Sequence, residues 1–149
     1  MIEFGLRTEI AAPPEVVFAA SLSVDAHLAS MRSAGERAVA GVRSGRMALG
    51  DTVTWKARHF GVVWTMTSRI TELAEPSWFV DEQQRGPFRS FRHEHGFEPT
   101  AGGTLMTDRI RFTAPVPVVG WVAERVVLGW YLRRLIRQRN SFLAQLSAG

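Results

Sequence analysis

Between residues 36 and 114 the chain alternates apolar and polar positions with a period of two. This period is typical of β-strands, because successive side chains of a strand point to opposite faces. It predicts strands near residues 37–42, 51–60, 62–73, 78–85, 88–98 and 103–114, and residues 2–10 are predicted separately as a first strand. Short turns rich in glycine and proline separate the later strands, and short connections favour antiparallel neighbours. We therefore expect a seven-stranded antiparallel sheet whose last six strands form one meander.

Two short helices are predicted between the first and second strands. Pro13 and Pro14 suit a loop and a first helical position, and Glu15 favours the positive end of the helix dipole. A second helix is expected to follow over residues 26–31, capped by Ser23 or Asp25.

A long helix is predicted over residues 119–146, where apolar residues recur at helical spacing without proline. At 1.5 Å per residue it would be about 40 Å long. Its apolar stripe is expected to contain Trp121, Leu128, Leu132, Leu135, Phe142 and Leu146. The arginines at 133, 134, 137 and 139 lie mainly off that stripe and predict a solvated basic face.

The histidines at 93 and 95 fall on the apolar side of a predicted strand, in the segment FRHEHGF. Phe91, His93, His95 and Phe97 share one face, while an arginine and a glutamate occupy the other. Buried histidines need polar partners. The same alternation turns Asp81 inward on the preceding strand.

A carboxylate on each neighbouring strand is predicted to face His93. A three-residue loop at Gly86-Pro87-Phe88 would place Asp81 opposite His93. If residues 97 and 104 pair, Asp108 also lies opposite His93. The expected row Asp81–His93–Asp108 depends on register, since a one-residue slip reverses the faces.

Three interpretations of this row remain open. A buried imidazole and its carboxylates form a structural polar network. Alternatively, an aspartate orients His93 for acid–base catalysis, so the catalytic candidates are His93, Asp81 and Asp108. A His-x-His pair with a carboxylate is also a pattern for metal ligands, but a short one with many chance matches. We expect no metal and no cofactor.

Composition and charge narrow the class of protein. The chain has 149 residues, which predicts one domain over 1–149, and it contains no cysteine for disulfides or zinc–thiolate sites. The net charge of +4 comes from dispersed arginines, without a phosphate-binding glycine loop, which disfavours nucleic acid. We find no signal-peptide pattern and no apolar run that would span a bilayer, and therefore expect a cytoplasmic protein.

Three segments carry a resemblance to a known superfamily: IAAPPEVVFAAS at 10–21, LGDTVTWKARHFG at 49–61 and the long segment at 79–112. With the order of elements, they resemble the START-like, or SRPBCC, superfamily, and in particular its uncharacterised bacterial ligand-binding members. That superfamily includes polyketide cyclases and dehydrases, lipid-transfer START domains and the birch-pollen-allergen group. The resemblance covers essentially the whole chain. It implies an α+β helix-grip fold, with a curved antiparallel sheet wrapped around the C-terminal helix and a cavity between them.

The resemblance also implies a function. We expect the cavity to bind a small hydrophobic molecule, such as a polyketide, an isoprenoid or a lipid-like compound. One alternative is a cyclase/dehydrase-type enzyme that uses His93 with Asp81 or Asp108. Another is a module that presents lipid to a membrane or a partner protein. Peripheral membrane contact and a homodimer both remain open.

The cavity-facing positions of the strands supply candidate ligand-binding residues. These are Trp55, His59, Trp64, Met66, Asp81, Phe91, His93, His95, Met106, Asp108 and Ile110.

Overall fold

A computed structural model describes the backbone of residues 1–114 and 121–148, and the side chains of 1–114 and 126–148. Seven strands form one antiparallel sheet in the order β1-β7-β6-β5-β4-β3-β2. The strands are β1 (Ile2–Ile10), β2 (Arg37–Gly41), β3 (Thr52–His59), β4 (Val62–Ala74), β5 (Trp78–Arg85), β6 (Ser90–Thr100) and β7 (Gly103–Thr113). The predicted sheet and its six-strand meander are confirmed.

Two short helices, α1 (Pro14–Leu22) and α2 (Val24–Ser30), connect β1 to a short 3₁₀ turn (Arg32–Ala34) before β2. The helix α2 begins at a Ser23 cap, whose hydroxyl accepts a hydrogen bond from the Ala26 amide at 3.1 Å. Asp25, the other predicted cap, instead accepts from the Gly45 amide at 2.8 Å. Together α1 and α2 cover one end of the sheet with a core around Phe18, Leu22 and Phe97.

A third helix, α3 (Trp121–Ala148), packs against β1, α1 and α2. The predicted helix-grip fold is thereby confirmed. Near its first half, Leu128, Leu132 and Ile136 pack on a second core around Phe4 and Phe112. None of the described helices is both long and apolar enough to cross a membrane.

The apolar stripe of α3 differs in part from the predicted one. Leu146 is half-exposed, and Leu143 is the fully buried residue of the last turns. The expectation that Arg139 faces solvent is wrong, because this side chain is only 4 % exposed. Residues 119 and 120 and the side chain of Trp121 lie outside the described part of the chain.

The strand register is partly as predicted. Asp81 lies opposite His93 across β5 and β6. Across β6 and β7, however, the predicted pairing is wrong by two residues: Asp108 lies opposite His95, and Ile110 lies opposite His93. The reason is that β6 continues to Thr100, so that only Ala101 and Gly102 separate it from β7.

The glycine that follows explains this close turn. Gly103 has φ +145°, and a Cβ atom there would lie 2.2 Å from the carbonyl oxygen of Ile10. A side chain is therefore excluded, and the two strands reverse within two residues. Because the register shift is an even number of residues, Asp108 still faces inward.

Candidate ligand cavity

A cavity of about 700 Å³ lies between the concave face of the sheet, α2 and α3. This volume is in the range of small-molecule binding sites. Most of the wall is apolar, and the polar groups are concentrated at a few positions. Eight of the predicted ligand-binding residues line it: Trp55, His59, Trp64, Met66, Asp81, Phe91, His93 and His95.

The other three predicted lining residues do not reach the wall among the described residues. Met106 and Ile110 face inward but are fully buried, Met106 in the core with α1 and Ile110 in the core with α3. Asp108 is buried behind the wall, where it contacts His93 rather than the cavity. Inward-facing positions near the sheet edge at β1 and β7 are covered by helices, so they form core instead of cavity.

Two histidine–aspartate pairs stand at the polar part of the wall. The Nε2 atom of His93 lies 2.6 Å from Oδ1 of Asp108, and Nε2 of His95 lies 2.6 Å from Oδ2 of Asp81. Each histidine therefore bonds the carboxylate diagonal to it, instead of the one directly opposite in the ladder. The two imidazoles stack at 3.7 Å, which holds both rings in fixed planes.

Asp108 also receives hydrogen bonds from α3. Nη1 of Arg139 donates to its Oδ1 at 3.2 Å, and Nδ2 of Asn140 donates to its Oδ2 at 2.7 Å. The Nη2 atom of Arg139 lies 3.4 Å from Nδ1 of His95. One guanidinium thus links both pairs and ties α3 to the middle of the sheet.

These contacts decide which groups are charged. Burial is the main cause that lowers the pKa of His95 to about 3, so His95 is neutral at neutral pH. Burial opposes ionisation of Asp108, but the hydrogen bond from His93 and the charges around it outweigh burial and hold its pKa well below the usual value. Burial also opposes ionisation of Asp81, but the hydrogen bond from His95 and nearby positive charge outweigh burial and lower its pKa. Both aspartates are therefore carboxylates at neutral pH.

The proton positions follow from these charges. Asp108 and Asp81 are acceptors, so His93 and His95 both carry a proton on Nε2. For neutral His95, Nδ1 then accepts from Arg139. The Nδ1 atom of His93 has no hydrogen-bond partner among the described residues and is not sealed by protein atoms, while its ring lines the cavity. In the neutral tautomer with its proton on Nε2, His93 presents the lone pair of Nδ1 to the cavity.

In the part of the chain that the structure describes, one group of three residues could ligate a metal: Asp81, His93 and His95, whose ligand atoms lie within 4.8 Å of one another. Both Nε2 atoms, however, already bond carboxylates, and Arg139 lies against the other ring nitrogen of His95. A cation here would face that guanidinium and would displace the proton that His95 shares with Asp81. The arrangement favours proton-linked pairs over a metal centre.

We accordingly expect purified protein to contain no stoichiometric transition metal. Elemental analysis of the wild type and of His95→Ala checks this. Near-stoichiometric zinc, iron or nickel that is lost in His95→Ala would contradict it.

Two further polar positions lie on the wall. The Nδ1 atom of His59 is 2.6 Å from the Tyr131 hydroxyl, which links β3 to α3. His27 on α2 forms a hydrogen bond with Glu36 and packs on Trp55 with ring centroids 4.4 Å apart. Both pairs join elements on either side of the cavity, so they shape its wall as well as offering polar atoms to it.

Exposed apolar side chains surround one end of the cavity. Phe60 on the β3–β4 turn is 59 % exposed, and its ring packs against that of Tyr131 with centroids 4.5 Å apart. Trp64 and Val127 also line the cavity and are partly exposed to solvent. This end of the cavity therefore presents apolar side chains to solvent.

The main residues missed at the level of sequence come from α3. Arg139, Asn140 and Tyr131 supply or support polar atoms of the site, and none was a candidate. A signal was present: residue 139 follows Leu132 and Leu135 by seven and four positions, which places it on the apolar stripe. Two inward-facing aspartates also required a cation or strong donors nearby.

Comparison with known proteins agrees with this fold. Residues 1–148 match the family model described as polyketide cyclase / dehydrase and lipid transport. No curated protein matches the sequence.

Solved structures with the same fold are distant in sequence. The Zhui aromatase/cyclase of Streptomyces sp. R1128 superposes with a TM-score of 0.75 at 14 % identity, covering 98 % of this chain and 92 % of that one. A START superfamily protein of Mycobacterium smegmatis gives 0.73 at 17 % identity, covering 97 % and 98 %. The protein TTHA0849 of Thermus thermophilus gives 0.76 at 16 % identity, covering 98 % and 99 %.

Proposed function

This chain belongs to the polyketide cyclase/dehydrase and lipid-transport family, and we propose that it binds a small hydrophobic molecule of polyketide, isoprenoid or lipid-like type between α3 and the sheet. The observation that carries the proposal is the cavity of about 700 Å³ with its largely apolar wall. Water in such a space is displaced favourably by an apolar ligand. The few polar atoms on the wall then orient the ligand.

Filling the cavity from its wall tests this function. Ala57 lines the cavity from β3, so the ring of an Ala57→Phe variant would occupy the space proposed for the ligand. We expect the affinity for the neutral fluorescent probe N-phenyl-1-naphthylamine to fall at least about tenfold, which corresponds to about 1.4 kcal/mol of binding free energy. Fluorescence titration measures it, and circular dichroism reports whether the variant is folded.

The matched control places the same residue outside the cavity. Ala40 is exposed on β2, so Ala40→Phe should bind the probe as the wild type does. Leu132→Trp fills the same cavity from α3 and provides a second variant if Ala57→Phe fails to fold. Equal affinity in the wild type and both folded cavity variants would contradict the proposal.

Acid–base catalysis is a second candidate, favoured by the His93–Asp108 pair. Asp108 fixes the imidazole through Nε2, and Nδ1 is left to take a proton from a bound carbonyl compound. Cyclisation or dehydration of a poly-β-ketone requires such proton transfers in a shaped apolar pocket. The similarity in fold to an aromatase/cyclase supports this candidate without identifying a substrate.

If His93 is the base, we expect His93→Gln to lower turnover of a β-keto substrate by about 10²–10⁴, with unchanged affinity. Glutamine keeps approximate size and hydrogen bonding but lacks the basic nitrogen. Asp108→Asn should also lower turnover, while Glu98→Gln, at an exposed position of β6, serves as the control. Product analysis of the wild type and the variants over a panel of β-keto compounds is the measurement. No turnover by the wild type across the panel would contradict catalysis and leave binding alone.

A further inference from the structure

We propose that the cavity selects neutral ligands that donate a hydrogen bond, such as phenols or enols, and rejects carboxylates such as free fatty acids. This inference rests on the proposed ligand-binding function and names the class of ligand. It follows from the charges and hydrogen-bonding atoms placed along the wall.

Carboxylates outnumber cations at the cavity. Asp81 and Glu36 line the wall, and Asp108 lies directly behind it. Arg139 is the one lysine or arginine side chain among the described lining residues. A ligand carboxylate would therefore lose its hydration beside fixed carboxylates, which is costly without a free cation.

The one guanidinium is not free to receive an anion. Its Nη1 atom donates to Asp108 and Asn140, and its Nη2 atom faces His95. A ligand carboxylate would have to compete with Asp108, which the fold already holds against Arg139. The charge of Arg139 is thus used within the protein.

The wall presents hydrogen-bond acceptors to a ligand, and no free cation among the described lining residues. Nδ1 of His93 has no hydrogen-bond partner among the described residues, and it is an acceptor in the neutral tautomer whose Nε2 proton bonds Asp108. The side chain of Asp81 is 24 % exposed, and only its Oδ2 atom bonds His95. A hydroxyl group satisfies such acceptors without bringing charge, and the apolar remainder of the wall suits an aromatic or aliphatic skeleton.

Three probes of one skeleton test the inference on the wild-type protein. We expect 2-naphthol to bind most tightly in isothermal titration at pH 7. Its ether, 2-methoxynaphthalene, lacks the donor and should bind about fivefold to tenfold more weakly, about the value of one hydrogen bond. The anion 2-naphthoate should bind at least about 100-fold more weakly than 2-naphthol.

Two variants test whether a carboxylate of the cavity wall causes the weaker binding of 2-naphthoate. Asp81→Asn removes one negative charge from the wall and should decrease the ratio of the affinities for 2-naphthol and 2-naphthoate at least about fivefold. Glu98→Gln removes an exposed charge on β6, away from the cavity, and should leave this affinity ratio unchanged. If the affinity difference between 2-naphthoate and 2-naphthol decreases equally in both variants, the wall carboxylate is not the cause of the selectivity, and the inference is overturned.

The outcomes separate this inference from the function on which it rests. If 2-naphthoate binds as tightly as 2-naphthol, or if the ether equals 2-naphthol, the inference fails while a hydrophobic binding site remains. If none of the three probes binds, and N-phenyl-1-naphthylamine does not bind either, the proposed function fails and the inference fails with it.

Discussion

An Asp108→Ala variant should lose about 3–5 kcal/mol of unfolding free energy, the cost of breaking a buried ion pair by removing one partner. The Asp108 side chain is fully buried and accepts hydrogen bonds from His93, Arg139 and Asn140. Without it, the guanidinium of Arg139 remains buried without its carboxylate. Urea unfolding followed by circular dichroism measures the loss.

A double variant distinguishes charge from packing. In Asp108→Ala/Arg139→Met the uncompensated cation is gone, so we expect at least half of the lost stability to return. Glu3→Ala is the surface control: Glu3 pairs with Arg109 where both are about half-exposed, and solvent screening should make its loss far less destabilising than that of Asp108. If Asp108→Ala loses no more unfolding free energy than Glu3→Ala, the hydrogen bonds of Asp108 with Arg139 and Asn140 do not stabilise the packing of α3 on the sheet.

Acidification should destabilise the protein well above the pH at which carboxylates titrate. His95 has a pKa of about 3 in the folded state, against 6.5 when unfolded. Below pH 6.5 the unfolded chain therefore binds a proton that the folded chain does not, and stability falls as pH falls. The slope approaches about 1.4 kcal/mol per pH unit, for a total on the order of 5 kcal/mol by pH 3.

The interval between pH 6.5 and 4.5 isolates this effect from the aspartates, whose lowered pKa values act in the same direction at lower pH. His59 contributes in the same direction, because burial lowers its pKa as well. We expect His95→Gln to remove most of the slope in urea-unfolding free energy and His59→Gln to retain most of it. An unchanged slope in folded His95→Gln would show that His95 is not the neutral buried group.

The fold could be predicted largely because its periodicities are regular. The inward faces of β3, β5 and β6 follow from alternation alone, and they place His93, His95 and Asp81 as expected. The β6–β7 register could not be predicted in the same way. Its turn depends on how closely the chain passes Ile10 at Gly103, which is a tertiary contact.

The hydrogen-bond partners within the site are harder to predict from sequence than the residues that form it. Alternation identifies which residues face inward, but it does not show that each histidine bonds the diagonal aspartate. Nor does it separate cavity wall from core, so Met106 and Ile110 were predicted to line a space that α1 and α3 fill. The charge of Arg139 predicts a solvated side chain, whereas its spacing on the helix places it on the apolar stripe, where it is buried.

The central claim, that the cavity is a binding site for a small hydrophobic molecule, is tested most directly by native mass spectrometry of gently purified protein. We expect a small molecule that accompanies the wild type and Ala40→Phe, is released on denaturation, and is absent from folded Ala57→Phe. A wild type that carries no such molecule, or one retained equally by Ala57→Phe, would contradict the claim.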